Sequence, residues 1–137
     1  MIQFQNARLA ELSTPLIPIS DKIMVMPIIG SVDRSRAARL VEAALAGAHQ
    51  TRAAVVILDI TGLRDVDSSA AGSLMHTARA LRLLGTTVVV TGVSAEIART
   101  LVRLDVDLTA IVVRGTLASG IAYATERVAG GVTGART

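Results

Sequence analysis

Residues 53–69 read AAVVILDITGLRDVDSS, and this stretch decides the fold. Val55-Val56-Ile57-Leu58 is an unbroken apolar run, which predicts a strand covered on both faces, as in an α/β sheet. An acidic turn, Asp59-Ile60-Thr61-Gly62-Leu63-Arg64-Asp65-Val66-Asp67, follows it. Ser68-Ser69-Ala70-Ala71 then opens a helix. Loops that follow strands are where α/β folds place their chemistry. The turn therefore carries the main functional clue, a hydroxyl beside carboxylates at a helix start.

The composition narrows the function classes. The chain has 137 residues, enough for one domain with a real core. Phe4 and Tyr123 are its two aromatics, so the core must be built from Ala, Val, Leu and Ile. With no cysteine, disulfides and thiolate metal sites are excluded. His49 and His76 sit in no ligand motif, so no metal and no cofactor is expected. The formal net charge is +3, and the basic residues, all Arg except Lys22, are scattered. Nucleic-acid binders show a basic stripe, often with stacking aromatics, so no nucleic-acid partner is expected. No apolar run approaches the roughly 20 residues that span a bilayer, and no signal peptide is visible. A cytoplasmic chain without membrane contact is the expectation.

Outward from the central stretch, strand and helix patterns alternate. Residues 1–14 read as a linker or helix that ends before Pro15. Leu16–Ile19 and Ile23–Ile29 read as two strands around a Ser20-Asp21-Lys22 turn, with prolines at strand ends. Asp33 is the expected N-cap of a first helix with Ala38, Val41, Leu45 and Ala48 as its buried stripe. The second helix runs from about Ser68 to Leu84 on Ala71, Leu74, Met75, Ala78 and Leu81, and Gly85 ends it. Thr86–Thr91 is a further strand. Ser94 caps a third helix buried through Ile97, Leu101 and Leu104. Ala110–Val113 is the last strand, and Leu117, Ile121, Ala124 and Val128 mark a final helix. Residues 130–137 read as a disordered tail. The pattern shows no internal repeat. It predicts one α/β domain over 15–129, with a mostly parallel central sheet, an antiparallel N-terminal hairpin strand and four helices.

The order of elements, with Leu58-Asp59-Ile60-Thr61-Gly62 and Val66-Asp67-Ser68, resembles the STAS domain, the fold of bacterial anti-sigma-factor antagonists. Further segments resemble the RsbR type, which builds the stressosome. These are Leu12–Ile19, Ala80-Leu81-Arg82-Leu83-Leu84-Gly85, Thr91–Leu101, Asp107-Leu108 and Arg114-Gly115-Thr116-Leu117, and the likeness covers about residues 12–127. The resemblance implies that the hydroxyl after Val66-Asp67 is phosphorylated by a partner serine/threonine kinase, which places the acceptor at Ser68, with Ser69 as fallback. It implies a second phosphoacceptor at Thr100. RsbR-type chains have a sensor domain before the segment matched by Leu12-Ser13-Thr14-Pro15. About eleven residues precede it here, which reads as a C-terminal fragment or a sensor-less member.

Each hydroxyl also has a structural reading. Asp67 or Ser68 would serve as a helix N-cap. Thr100 would bond back to the preceding helical turn. Thr61 would hydrogen-bond within the acidic turn, and Gly62 would supply a positive φ there. The expected function is a non-enzymatic stressosome-type scaffold and phosphoswitch, acting by partner switching in a sigma-factor or related cascade. Its partner surface would include Thr61, Gly62, Asp65, Asp67 and Ser69. Its partners would be a switch kinase and other STAS chains, in a homodimer or larger hetero-oligomer. One alternative is a small antagonist that sequesters an anti-sigma kinase. Another is a nucleotide- or ligand-binding α/β domain, with Asp59, Asp65 and Asp67 around magnesium. No G-x-G-x-x-G, Walker sequence or convincing Ser/His/Asp set supports an enzyme.

Overall fold

The computed structural model of the protein describes residues 16–109 and 111–134. The expected linker or helix at 1–14 and the last three residues lie outside them. The strands are β1 (Ile17–Pro18), β2 (Ile23–Pro27), β3 (Gly30–Val32), β4 (Val55–Asp59), β5 (Leu63–Val66), β6 (Thr87–Thr91) and β7 (Ile111–Arg114). The helices are α1 (Arg34–Thr51), α2 (Ser68–Leu83), α3 (Ala95–Arg103) and α4 (Leu117–Gly134).

Five strands form the main sheet in the order β1-β2-β4-β6-β7. The hairpin strand β1 is antiparallel to β2, and every other pair is parallel. The unbroken apolar strands have the reason the sequence suggested, since both faces of the sheet are covered. Met24, Met26, Val56, Leu58 and Val88 pack in a large cluster with α1, α2 and Ile97 of α3. Ile23, Val25, Val55, Ile57 and Val89 pack on the other face with Ala124, Leu117, Ile121 and Val128 of α4. Val55, Val56 and Ile57 are fully buried, as a central parallel strand requires.

Four expectations need correction. Ile23–Ile29 is not one strand. Pairing of β2 ends at Pro27, and after Ile28-Ile29 the left-handed Gly30 (φ 80°) redirects the chain into β3. The acidic turn is not all loop, because β5 pairs parallel with β3 in a separate two-stranded sheet. The buried row of α1 is Ala37, Leu40, Ala44 and Ala48, whereas Ala38 is exposed and Val41 and Leu45 are half-buried. Adjacent apolar rows share the helical period, so spacing alone did not choose between them. The α4 helix continues to Gly134, past residue 130 where the tail was expected to begin.

Candidate functional site

The site is assembled at the carboxyl edge of the sheet, from the turn between β4 and α2. Its floor is a tight backbone weave. The Ile28 amide donates to the Asp59 carbonyl (2.9 Å), Ile60 to Thr91 (2.8 Å), Leu63 to Ile60 (3.0 Å) and Gly30 to Gly62 (2.9 Å). The Asp59 carboxylate accepts from the Thr61 and Thr91 hydroxyls, both at 2.8 Å, and Thr91 is fully buried. Thr61 therefore bonds within the turn, as expected. Asp59 is spent on holding two hydroxyls. No group of three or more acidic or histidine side chains among the described residues could hold a metal ion.

Gly62 is needed for a different reason from the one expected. Its φ is not positive; among the described glycines only Gly30, Gly85 and Gly92 are left-handed. A Cβ on Gly62 would overlap the Ile29 side chain. The conformational demand falls on Gly92 (φ 79°), where a Cβ would also lie 2.8 Å from the Thr61 backbone.

The cap of α2 is Asp67, in extended backbone, with its Oδ1 accepting from the Ala70 amide at 2.7 Å. Ser68 is thus the first helical residue and not the cap. It is exposed, as is Ser69, and its hydroxyl has no hydrogen bond to any described residue. Thr61, Asp65 and Asp67 are exposed on the same turn, and Gly62 is half-buried. The structure therefore brings together all the turn residues singled out from the sequence. Thr100 lies apart from them, in the second turn of α3. It is half-buried, donates to the Glu96 carbonyl (3.0 Å) and accepts from Arg103 Nη2 (3.4 Å). Ser94 caps α3 as expected, through the Ile97 amide at 3.1 Å.

Sequence reasoning missed the neighbour of this turn. The β3–β5 register sets Val32 beside Val66, so the first turns of α1 and α2 rise side by side. Asp33 caps α1 through the Arg36 amide (2.8 Å), as Asp67 caps α2. Arg36 also ties down the Ile29 and Ser31 carbonyls, fixing the lead-in to β3. A signal was present: Val32-Asp33-Arg34-Ser35 and Val66-Asp67-Ser68-Ser69 share one Val-Asp-x-Ser pattern, too short to register as a repeat.

Comparison with known proteins gives three findings. The model of the family described as "STAS domain" matches residues 14–119. The RsbT co-antagonist protein RsbRA of Bacillus subtilis (strain 168) is 40% identical over 125 residues, which is 91% of this chain and 46% of that protein. The chain thus spans about half the length of the curated relatives it matches. Among solved structures, Moorella thermoacetica RsbS aligns with a TM-score of 0.73 at 24% identity, covering 84% of this chain and 97% of that one. A chain from the molecular architecture of the stressosome aligns with a TM-score of 0.67 at 22% identity, covering 83% and 98%. At these identities the structural likeness shows the shared fold.

Proposed function

The chain belongs to the STAS-domain family, and from that premise we propose that it is a non-enzymatic scaffold and phosphoswitch with Ser68 as its principal phosphoacceptor. The observation that carries this reading is the division of labour at the start of α2. Asp67 holds the cap, and the Ser68 hydroxyl is left exposed and uncommitted. A kinase would therefore reach it without unwinding the helix. A phosphate there would bring close to two negative charges, favoured by the helix dipole and opposed by Asp65 and Asp67. Such a group changes what the turn can dock against while leaving the fold in place.

The partner of that chemistry is a serine/threonine switch kinase, and the surface it reads is the turn of Thr61, Gly62, Asp65, Asp67 and Ser69. The likeness to an RsbT co-antagonist supports a place in a stressosome-type assembly with other STAS chains, controlling a sigma-factor or related cascade. Thr100 would be a secondary acceptor, since its hydroxyl must first leave the Glu96 carbonyl. Among the described residues no helix is long and apolar enough to cross a membrane, in keeping with a cytoplasmic assembly.

Mass spectrometry after incubation with the cognate kinase tests the assignment. Phosphate on Ser68 supports it. Phosphate on Ser69 alone moves the acceptor by one residue, and phosphate on neither serine removes the switch.

A further inference from the structure

The pole of the sheet opposite Ser68 holds a second site. At the amino ends of β2, β4 and β6, a cleft of about 920 Å³ opens between the C-terminal ends of α1 and α2 and the later turns of α4. Its size is that of a small-molecule site. Lys22, Arg52 and Arg127 line it, and Arg82 lines an adjoining cavity of about 210 Å³ that shares Thr87, Tyr123 and Arg127. Among the described residues Glu126 is the one carboxylate lining either cavity. Among them the sole ion pair is Arg79–Asp107, so none of the four cations is matched by a described carboxylate. The C-termini of α1 and α2 contribute roughly half a negative charge each. Four cations against these and Glu126 leave an excess of about two positive charges.

Two of the cations are held in place by the fold. Arg127 donates from Nε to the Thr87 hydroxyl at 2.7 Å, which anchors the guanidinium and leaves both Nη groups without a described protein partner. Arg52 follows the last residue of α1 in the left-handed conformation (φ 53°, ψ 45°). The equivalent left-handed residue after α2 is Gly85 (φ 84°), which takes that conformation freely. Arg52 adds a guanidinium to the lining of the cleft at that position.

We propose that this cleft binds a small phosphate-bearing anion, gripped by Arg127 and Arg52. Planar guanidinium forks suit phosphate oxygens, and the positive excess of the cleft suits their negative charge. The ligand is either an inorganic pyrophosphate-like ion or the phosphate end of a nucleotide. The site lies at the other end of the strands from Ser68 and does not depend on its phosphorylation.

Isothermal titration calorimetry of the full chain with inorganic pyrophosphate tests this. Saturable binding is expected, with a Kd below about 1 mM. Arg127→Lys keeps the charge and loses the fork, and should weaken binding roughly tenfold. Arg52→Gly should weaken binding by a similar factor while raising the melting temperature, because glycine relieves the backbone. ADP binding more tightly than pyrophosphate would identify the nucleotide source, and equal or weaker binding the inorganic one. The proposal is overturned if pyrophosphate shows no saturable binding or if citrate binds as tightly. Unchanged affinity in Arg127→Lys and Arg52→Gly would overturn it as well.

Discussion

Asp67 accepts the Ala70 amide while Ser68, one residue later, has no described protein partner, so mutation separates the two roles. Ser68→Ala should stay within about 0.5 kcal/mol of the parent in urea unfolding and abolish phosphate incorporation at that position. Asp67→Ala should lose about 1 kcal/mol, the worth of an N-cap. Ser68→Asp should mimic the switch only in part, since a carboxylate has less charge and fewer acceptor oxygens than a phosphate. The glycines of the turn differ in the same testable way. Gly62→Ala should cost about 1 kcal/mol through overlap with Ile29, and Ile29→Ala in the same chain should recover most of it. Gly92→Ala should cost about 2 kcal/mol or more, because both its φ and the Thr61 backbone oppose a Cβ. A Gly62→Ala cost unaffected by Ile29→Ala would refute the contact.

At the scale of elements, α3 is the lightly held helix, with Ile97 its one fully buried residue. Thr100→Ala should shift stability by no more than about 0.5 kcal/mol and remove at most a secondary phosphate, read by intact-mass measurement. The loop after α3 is tied back by Asp107. Its carboxyl is held below the usual range by the Thr109 backbone amide and hydroxyl, with a smaller contribution from Arg79 at 3.4 Å. Because folding lowers this pKa, the contribution is complete above the usual carboxylate range and fades as pH falls through the folded pKa. Asp107→Asn should therefore flatten the acid limb of the stability curve below about pH 4 and leave its shape near neutrality unchanged. Denaturant midpoints measured across that window would show it.

For the whole molecule, the property to test is self-association. The alanines Ala70, Ala71 and Ala78 of α2 are at most 3% exposed and serve the chain's own core, so they offer no surface to a second subunit. Apolar surface remains at Leu83 (89% exposed), Val102 (81%) and Ile29 (60%). Light scattering at high micromolar concentration should find dimers or larger species, and a strict monomer would count against self-association. The sequence by itself determined what contiguous residues decide: the doubly covered strands, the Asp33 and Ser94 caps, the end of α2 at Gly85, and a hydroxyl after Val66-Asp67 at a helix start. Burial of a run and capping of a helix depend on neighbours within a few positions, so they are legible locally. Tertiary structure alone decided the pairing of β3 with β5, the row of α1 that faces the sheet, the clash that requires Gly62 and the gathering of four scattered cations at one pole. Each of these is a contact between residues far apart in the chain, and local periodicity carries no information about which distant partner will supply it.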